Sequence, residues 1–237
     1  MKNWIILFSL LCIACGNNVT KENTEFQLEV GDILFQDLDS SPLCDAIELV
    51  TPGFKNGNFS HIGIVVETLD VLYINPDKIC NKDNPENYLR VLEAIPEKVT
   101  TTRIDTFLMR SSDNNNNPKV IVGRLKNEYK NTIPKAIEFA NKQIGVDYDD
   151  VFILDNNKYY CSELIYEAFL KDSIFRLNPM TFLDPKSGDT LQTWIDYYSD
   201  LGVKIPEKKL GINPGIMSLS DKIEIIHFYG IPDGMKR

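Results

Sequence analysis

Two histidines, His61 and His227, are the whole supply of imidazole in this chain of 237 residues, and five cysteines are its supply of thiol. An imidazole beside a thiol is the minimal apparatus of nucleophilic catalysis, because the ring draws the proton and the sulfur attacks a carbonyl. Cys161 stands in Tyr159-Tyr160-Cys161-Ser162-Glu163-Leu164-Ile165. There a stripe of Leu164, Ile165, Ala168 and Phe169 begins at helical spacing, with Glu163 and Glu167 turned to the opposite side. A cysteine at a helix start meets the positive end of the helix dipole and free N–H groups able to hold an oxyanion. The Glu163 charge opposes a thiolate there. A buried structural cysteine is the alternative.

In Phe59-Ser60-His61-Ile62-Gly63-Ile64-Val65, alternation puts His61 on one strand face with Phe59, Gly63 and Val65, opposite Ile62, Ile64 and Val66. Gly63 removes bulk on that face, so another group can approach the ring. In Leu89-Arg90-Val91-Leu92-Glu93-Ala94-Ile95, Glu93 shares a face with Leu89, Val91 and Ile95. A carboxylate among apolar neighbours needs a partner. An imidazole suits, and the carboxylate would fix its tautomer; otherwise Glu93 lies in water on an edge strand. His227, in the last strand, reads as structural.

The elements that must position these residues follow from the same patterns. Val30 to Phe35 reads as a turn leading into a short apolar strand, and further strands are expected at Phe59 to Glu67, Tyr88 to Ile95, Lys119 to Leu125 and Lys222 to Phe228, with Val71 to Ile74 as a hairpin partner. Helices are expected at Asp45 to Val50, Arg103 to Met109, Ile133 to Gln143, Cys161 to Leu170 and Leu191 to Tyr198. This order suggests an α+β fold, a small antiparallel sheet packed against helices.

Met1-Lys2-Asn3 followed by the apolar run Trp4 to Ile13 reads as a secretory signal, too short for a bilayer span of about 20 residues. Leu11-Cys12-Ile13-Ala14-Cys15-Gly16 resembles a bacterial lipobox, although Cys12 stands where a Leu is usual. Residues 1–14 are therefore expected to be removed, Cys15 to carry lipid, 15–27 to form a tether, and 28–237 to form one domain. This implies a cell-envelope protein held by lipid at a membrane facing the periplasm or cell surface. Cys44, Cys80 and Cys161 then leave room for one disulfide and one free thiol. A net charge of −9 gives no footprint for nucleic acid, and a monomer is expected. The cysteines and histidines have no metal-site spacing, so neither metal nor organic cofactor is expected.

Gly31-Asp32-Ile33-Leu34-Phe35, Ser60-His61-Ile62-Gly63-Ile64-Val65, Leu92-Glu93-Ala94, Gly145-Val146-Asp147-Tyr148-Asp149 and Tyr160-Cys161-Ser162-Glu163-Leu164 occur in an order that resembles one family. It is the YiiX/YaeF-like branch of the NlpC/P60 superfamily, the permuted papain-like cysteine hydrolases. The segment from Asn213-Pro214-Gly215-Ile216 to Ser220 is similar to that branch as well. The resemblance spans roughly residues 28 to 229. It implies a permuted papain-like core with Cys161 as nucleophile, His61 as general base and Glu93 as the residue that orients it. Gly31-Asp32 and Asp147-Tyr148-Asp149 read as turn and pocket structure. The implied reaction is hydrolysis of a peptide or cell-wall-peptide-like amide. A lipid-directed amidase, esterase or acyltransferase of the lecithin:retinol acyltransferase-like type is the second expectation, and a non-catalytic binding lipoprotein the third. A charged pocket would favour peptides, and a long apolar groove lipids.

Overall fold

A computed structural model describes residues 26–67 and 89–236. Strands β1 (Ile33–Gln36), β2 (His61–Glu67), β3 (Leu89–Ile95), β4 (Lys98–Arg103) and β5 (Val120–Leu125) are joined by β8 (Ile223–Phe228) in one sheet. Its order is β4-β3-β2-β1-β5-β8, and every neighbouring pair is antiparallel. Two short strands, β6 (Asn178–Pro179) and β7 (Leu210–Gly211), form a separate arm. The helices are α1 (Pro42–Val50), α2 (Ile104–Met109), α3 (Ile133–Lys142), α4 (Cys161–Ala168), α5 (Gln192–Leu201) and α6 (Pro214–Ser218). The architecture is the expected α+β one, a six-stranded antiparallel sheet packed against helices.

Alternation along the strands divides the core in two. Ile33, Phe35, Ile62, Ile64 and Leu92 face one way and pack with Leu164 and Ile165 of α4 and Ala136 and Ala140 of α3. Leu34, Val65, Val91, Val120 and Val122 face the other way, against Ile104 and Phe107 of α2. The central strands are covered on both faces, which is why they read as near-continuous apolar runs. Gly31 turns the chain into β1 at φ +92°, where a Cβ would lie 2.6 Å from Ile133. The adjoining Asp32 carboxylate accepts from Glu29 N and from Arg124 Nε.

Several boundaries differ from expectation. Strand β4 was not anticipated, because Lys98-Val99-Thr100-Thr101-Thr102-Arg103 is a polar edge strand with little alternation. Helix α4 stops at Ala168, and Leu170–Asp172 forms a 3₁₀ turn. Phe26, assigned to the tether, stacks on His227 with ring centroids 3.9 Å apart, and Gln27 O accepts from Arg124, so the domain begins before residue 28. The expected hairpin strand Val71 to Ile74, Cys80, the signal segment and Cys15 lie outside the described residues.

Candidate active site

His61 opens β2, and Glu93 lies on the neighbouring β3. Their ladder pairs Ile64 with Leu92, which sets Glu93 opposite Gly63 and on the same face as His61. From there the carboxylate reaches the ring, with His61 Nε2 2.6 Å from Glu93 Oε2. Both side chains are buried. The phase read from alternation is therefore correct for both residues, and Glu93 is not on a wet edge.

Cys161 reaches the same ring. Cys161 is the first residue of α4, whose helix packs across the sheet face beside β2. Its Sγ lies 4.0 Å from Ser60 O, and the thiol hydrogen-bonds the His61 side chain. Burial alone would lower the His61 pKa. The hydrogen bonds from Cys161 and Glu93, with their negative charges, outweigh it and push His61 up to about 9. Three residues distant in sequence thus converge on one imidazole.

Sequence reasoning missed Arg110, which follows α2. Its Nη2 donates to the same Glu93 Oε2 at 2.6 Å, and its guanidinium lies over the Phe107 ring at 4.9 Å. Burial pushes the Glu93 carboxyl up, but His61 and Arg110 override it and hold Glu93 down at about 2. Gln36, fully buried and paired with His61 across β1 and β2, donates to Ser111 Oγ at 3.0 Å and accepts from Arg110 at 3.4 Å. It ties the Arg110 loop to the sheet. Only the polar type of Gln36 in an apolar strand signalled this role.

Glu163 corrects the expected helix orientation. It is not turned away but buried at 2% exposure, its carboxylate accepting from Tyr160 N at 3.4 Å. Burial, with Asp149 and Glu167 nearby, pushes its carboxyl up to about 8. Near neutral pH Glu163 is therefore protonated, and the expected repulsion of a Cys161 thiolate is absent.

Asp149 caps its own turn, accepting from Val151 N and Ile153 N at 2.9 and 2.8 Å, and Tyr148 lines the cleft beside Cys161. These agree with the turn and pocket roles read from Asp147-Tyr148-Asp149. His227 packs between Phe26 and Tyr229 in the second core, as a structural histidine does. Cys44 and Cys161 are both free thiols. Cys44 is buried, with Ser40 and Ser41 hydroxyls at 3.4 and 3.5 Å.

Residues 27–227 match the family described as permuted papain-like amidase, YaeF/YiiX, C92. The fold is similar to the crystal structure of the metalloprotein yiiX from Escherichia coli O157:H7. The TM-score is 0.63 at 19% identity, over 87% of this chain and 100% of that one. That degree of likeness speaks for the fold alone. No curated protein matches the sequence significantly. The carboxylates of Asp37, Asp39 and Asp233 come together, and Lys119 Nζ sits among them at 3.0, 2.6 and 3.0 Å. The ammonium already fills the space between those carboxylates, so the residues do not fit a metal ion there.

Proposed function

The chain belongs to the C92 family of permuted papain-like amidases, and we propose that it cleaves an amide through a thioacyl intermediate on Cys161, with His61 as general base and Glu93 as the group that orients it. What supports this reading is the His61 ring, bracketed by the Cys161 thiol and the Glu93 carboxylate. His61 first takes the proton from Cys161, and the Sγ so charged then bonds to the carbonyl carbon. The oxyanion forms at the start of α4, where the first backbone N–H groups have no partner inside the helix. The C–N bond then breaks, and His61 hands its proton to the departing amine. Water, deprotonated by His61, attacks the thioester, and the S–C bond breaks to release a carboxylic acid. Glu93, held ionised by Arg110, balances the imidazolium throughout.

The N-terminal run and the Ala14-Cys15-Gly16 junction support a lipid on Cys15 and residence at a membrane of the cell envelope. That location brings both cell-wall-type peptides and acyl amides within reach. The test uses the chain with Cys15→Ala, incubated with muropeptides and with lipid amides, and products are identified by mass spectrometry. A cleaved amide that disappears with Cys161→Ala is expected. Hydrolysis that persists in Cys161→Ala, or none on either substrate set, overturns the reading.

A further inference from the structure

His61 stands at the open end of its ladder. The β2–β3 ladder stops short of it, and its ladder partner is Gln36, the last residue of β1. Strand ends fray unless something outside the ladder holds them. The turn that leads into His61 also carries strain, because Lys55 and Asn56 sit in the left-handed region at φ 52° and 61°. Such residues persist only where their surroundings hold them. Ser60, the last residue before His61, places its carbonyl oxygen 4.0 Å from Cys161 Sγ. A slack turn would therefore move the imidazole and the carbonyl beside the thiol together.

The last stretch of the chain holds this end. After β8, residues 230–236 run past Pro118 as a strap. Asp233 N donates to Asp37 Oδ2 at 2.6 Å, and Asp233 O accepts from Asn58 N at 2.9 Å. One residue thus joins the chain just beyond β1 to the chain just ahead of β2, where the ladder between them has ended. The Asp233 carboxylate accepts from Lys119 Nζ at 3.0 Å, and the same ammonium donates to Asp37 Oδ1. Lys119 is buried, and its backbone N–H donates to Ser111 O at 3.0 Å, next to Arg110. The clasp therefore touches both supports of the triad.

The rest of the strap lies on the strained turn. Lys236 N donates to Lys55 O at 2.8 Å. A Cβ at Gly57 would lie 2.7 Å from the Met235 methyl carbon. Gly234, at φ +71°, comes so close that a Cβ there would lie 2.8 Å from Asn56 O and 2.9 Å from Asn58 Oδ1. The residues matched to the amidase family end at 227, so the strap lies outside them.

We propose that the C-terminal strap is a positioning element of the catalytic site, in which Asp233 closes the open end of the β1–β2 ladder and so fixes His61 against Cys161. It deepens the amidase reading, and its test needs no turnover, so either can fail alone. The Cys15→Ala chain is compared with two variants of itself. Gly234→Ala changes no charge but sets a methyl group against the turn, and the second variant ends at Gly230. The chain has two histidines, so carbon-13 histidine labelling resolves the His61 ring, with His227 as internal reference. The groups that face His61, which are Cys161 and Glu93 with Arg110 on the same carboxylate, are untouched in both variants. In Gly234→Ala the His61 titration midpoint is expected to fall from about 9 by on the order of one unit, with His227 unmoved. Iodoacetamide labelling of Cys161 at pH 7 is expected to slow several-fold with it. A lower thermal midpoint with both readouts unchanged makes the strap a clasp for stability alone and overturns the proposal, as does no change at all. If the shortened chain does not fold, Gly234→Ala decides on the same two readouts. Both readouts shifted, in a chain that hydrolyses neither muropeptides nor lipid amides, uphold the strap and overturn only the amidase.

Discussion

Gly63 stands directly opposite Glu93 in the β2–β3 ladder, and the Glu93 side chain uses that opening to reach the ring of His61, two residues away on the same strand face. A Cβ at Gly63 would lie 2.3 Å from Val91 Cγ1, 3.2 Å from Leu92 O and 3.4 Å from Glu93 Cβ. Valine has little rotamer freedom in a strand, and Leu92 O belongs to the ladder itself, so neither gives way cheaply. Gly63→Ala is expected to lower the thermal midpoint by at least about 2 °C. The His61–Glu93 contact should loosen with it, seen as slower turnover. An unchanged midpoint with full activity would show that the approach is not tight.

Arg110 acts through Glu93 and does not line the cleft. Replacing it with Met leaves a fully buried carboxylate with His61 as its remaining ionic partner, a change that costs on the order of 3 kcal/mol when a buried pair is broken. Arg110→Met should lower kcat about tenfold with KM little changed, and Arg110→Lys should recover part of the loss. A rise in KM at constant kcat would instead place Arg110 in substrate binding.

His61 and Glu93 were legible because a strand has period two and each sits among residues whose burial is plain. Arg110 was not, since nothing local distinguishes it from other arginines after a short helix; its partner lies 17 residues back on another element. Glu163 was misread for a different reason. Helical periodicity assumes one wet side, but the start of α4 is covered by the sheet, by α6 and by the Tyr160 turn, leaving seven of its eight residues buried. The cleft walls at 178–182 and 212–216 come from segments without periodicity, placed only by tertiary packing.

Two buried carboxyls should make the fold pH-sensitive. Burial is the main cause that pushes both Glu48 and Glu163 up to about 8. A carboxyl raised above its ordinary 4.5 keeps its proton in the folded state while the unfolded chain ionises. The stability it contributes is full below about 4.5 and is lost as pH rises through 8. The double variant Glu48→Gln/Glu163→Gln should therefore unfold at a thermal midpoint at least about 2 °C above the native chain at pH 8, with little difference at pH 4. Parallel midpoints across that range would mean that both carboxyls ionise normally.

The anchoring proposal predicts that the full chain fractionates with membranes and that Cys15→Ala releases it into the soluble fraction. Several acyl chains on one residue hold a protein firmly where a single chain does not. Mass spectrometry of the mature N-terminus checks the same point. A native protein beginning elsewhere, or a Cys15→Ala variant that stays bound, would remove the lipid from the description.

The sharpest prediction concerns the proton shared by His61 and Cys161. With a folded value of about 9 against an ordinary 6.5, His61 keeps its proton across the interval between them. The stability from that imidazolium is complete below 6.5, fades as pH rises and is gone above about 9. In the same interval the ring places a positive charge beside the Cys161 sulfur. Iodoacetamide should label Cys161 readily at pH 7, ahead of Cys44, although both thiols are buried. In His61→Ala that charge is gone, and labelling should slow at least about tenfold at pH 7. Glu93→Gln should fall between the two, because it removes the charge that holds the imidazolium but leaves the ring beside the sulfur. Equal rates in the native chain and His61→Ala, or adducts on Cys44 before Cys161, would separate the histidine from the thiol and leave the site without a base.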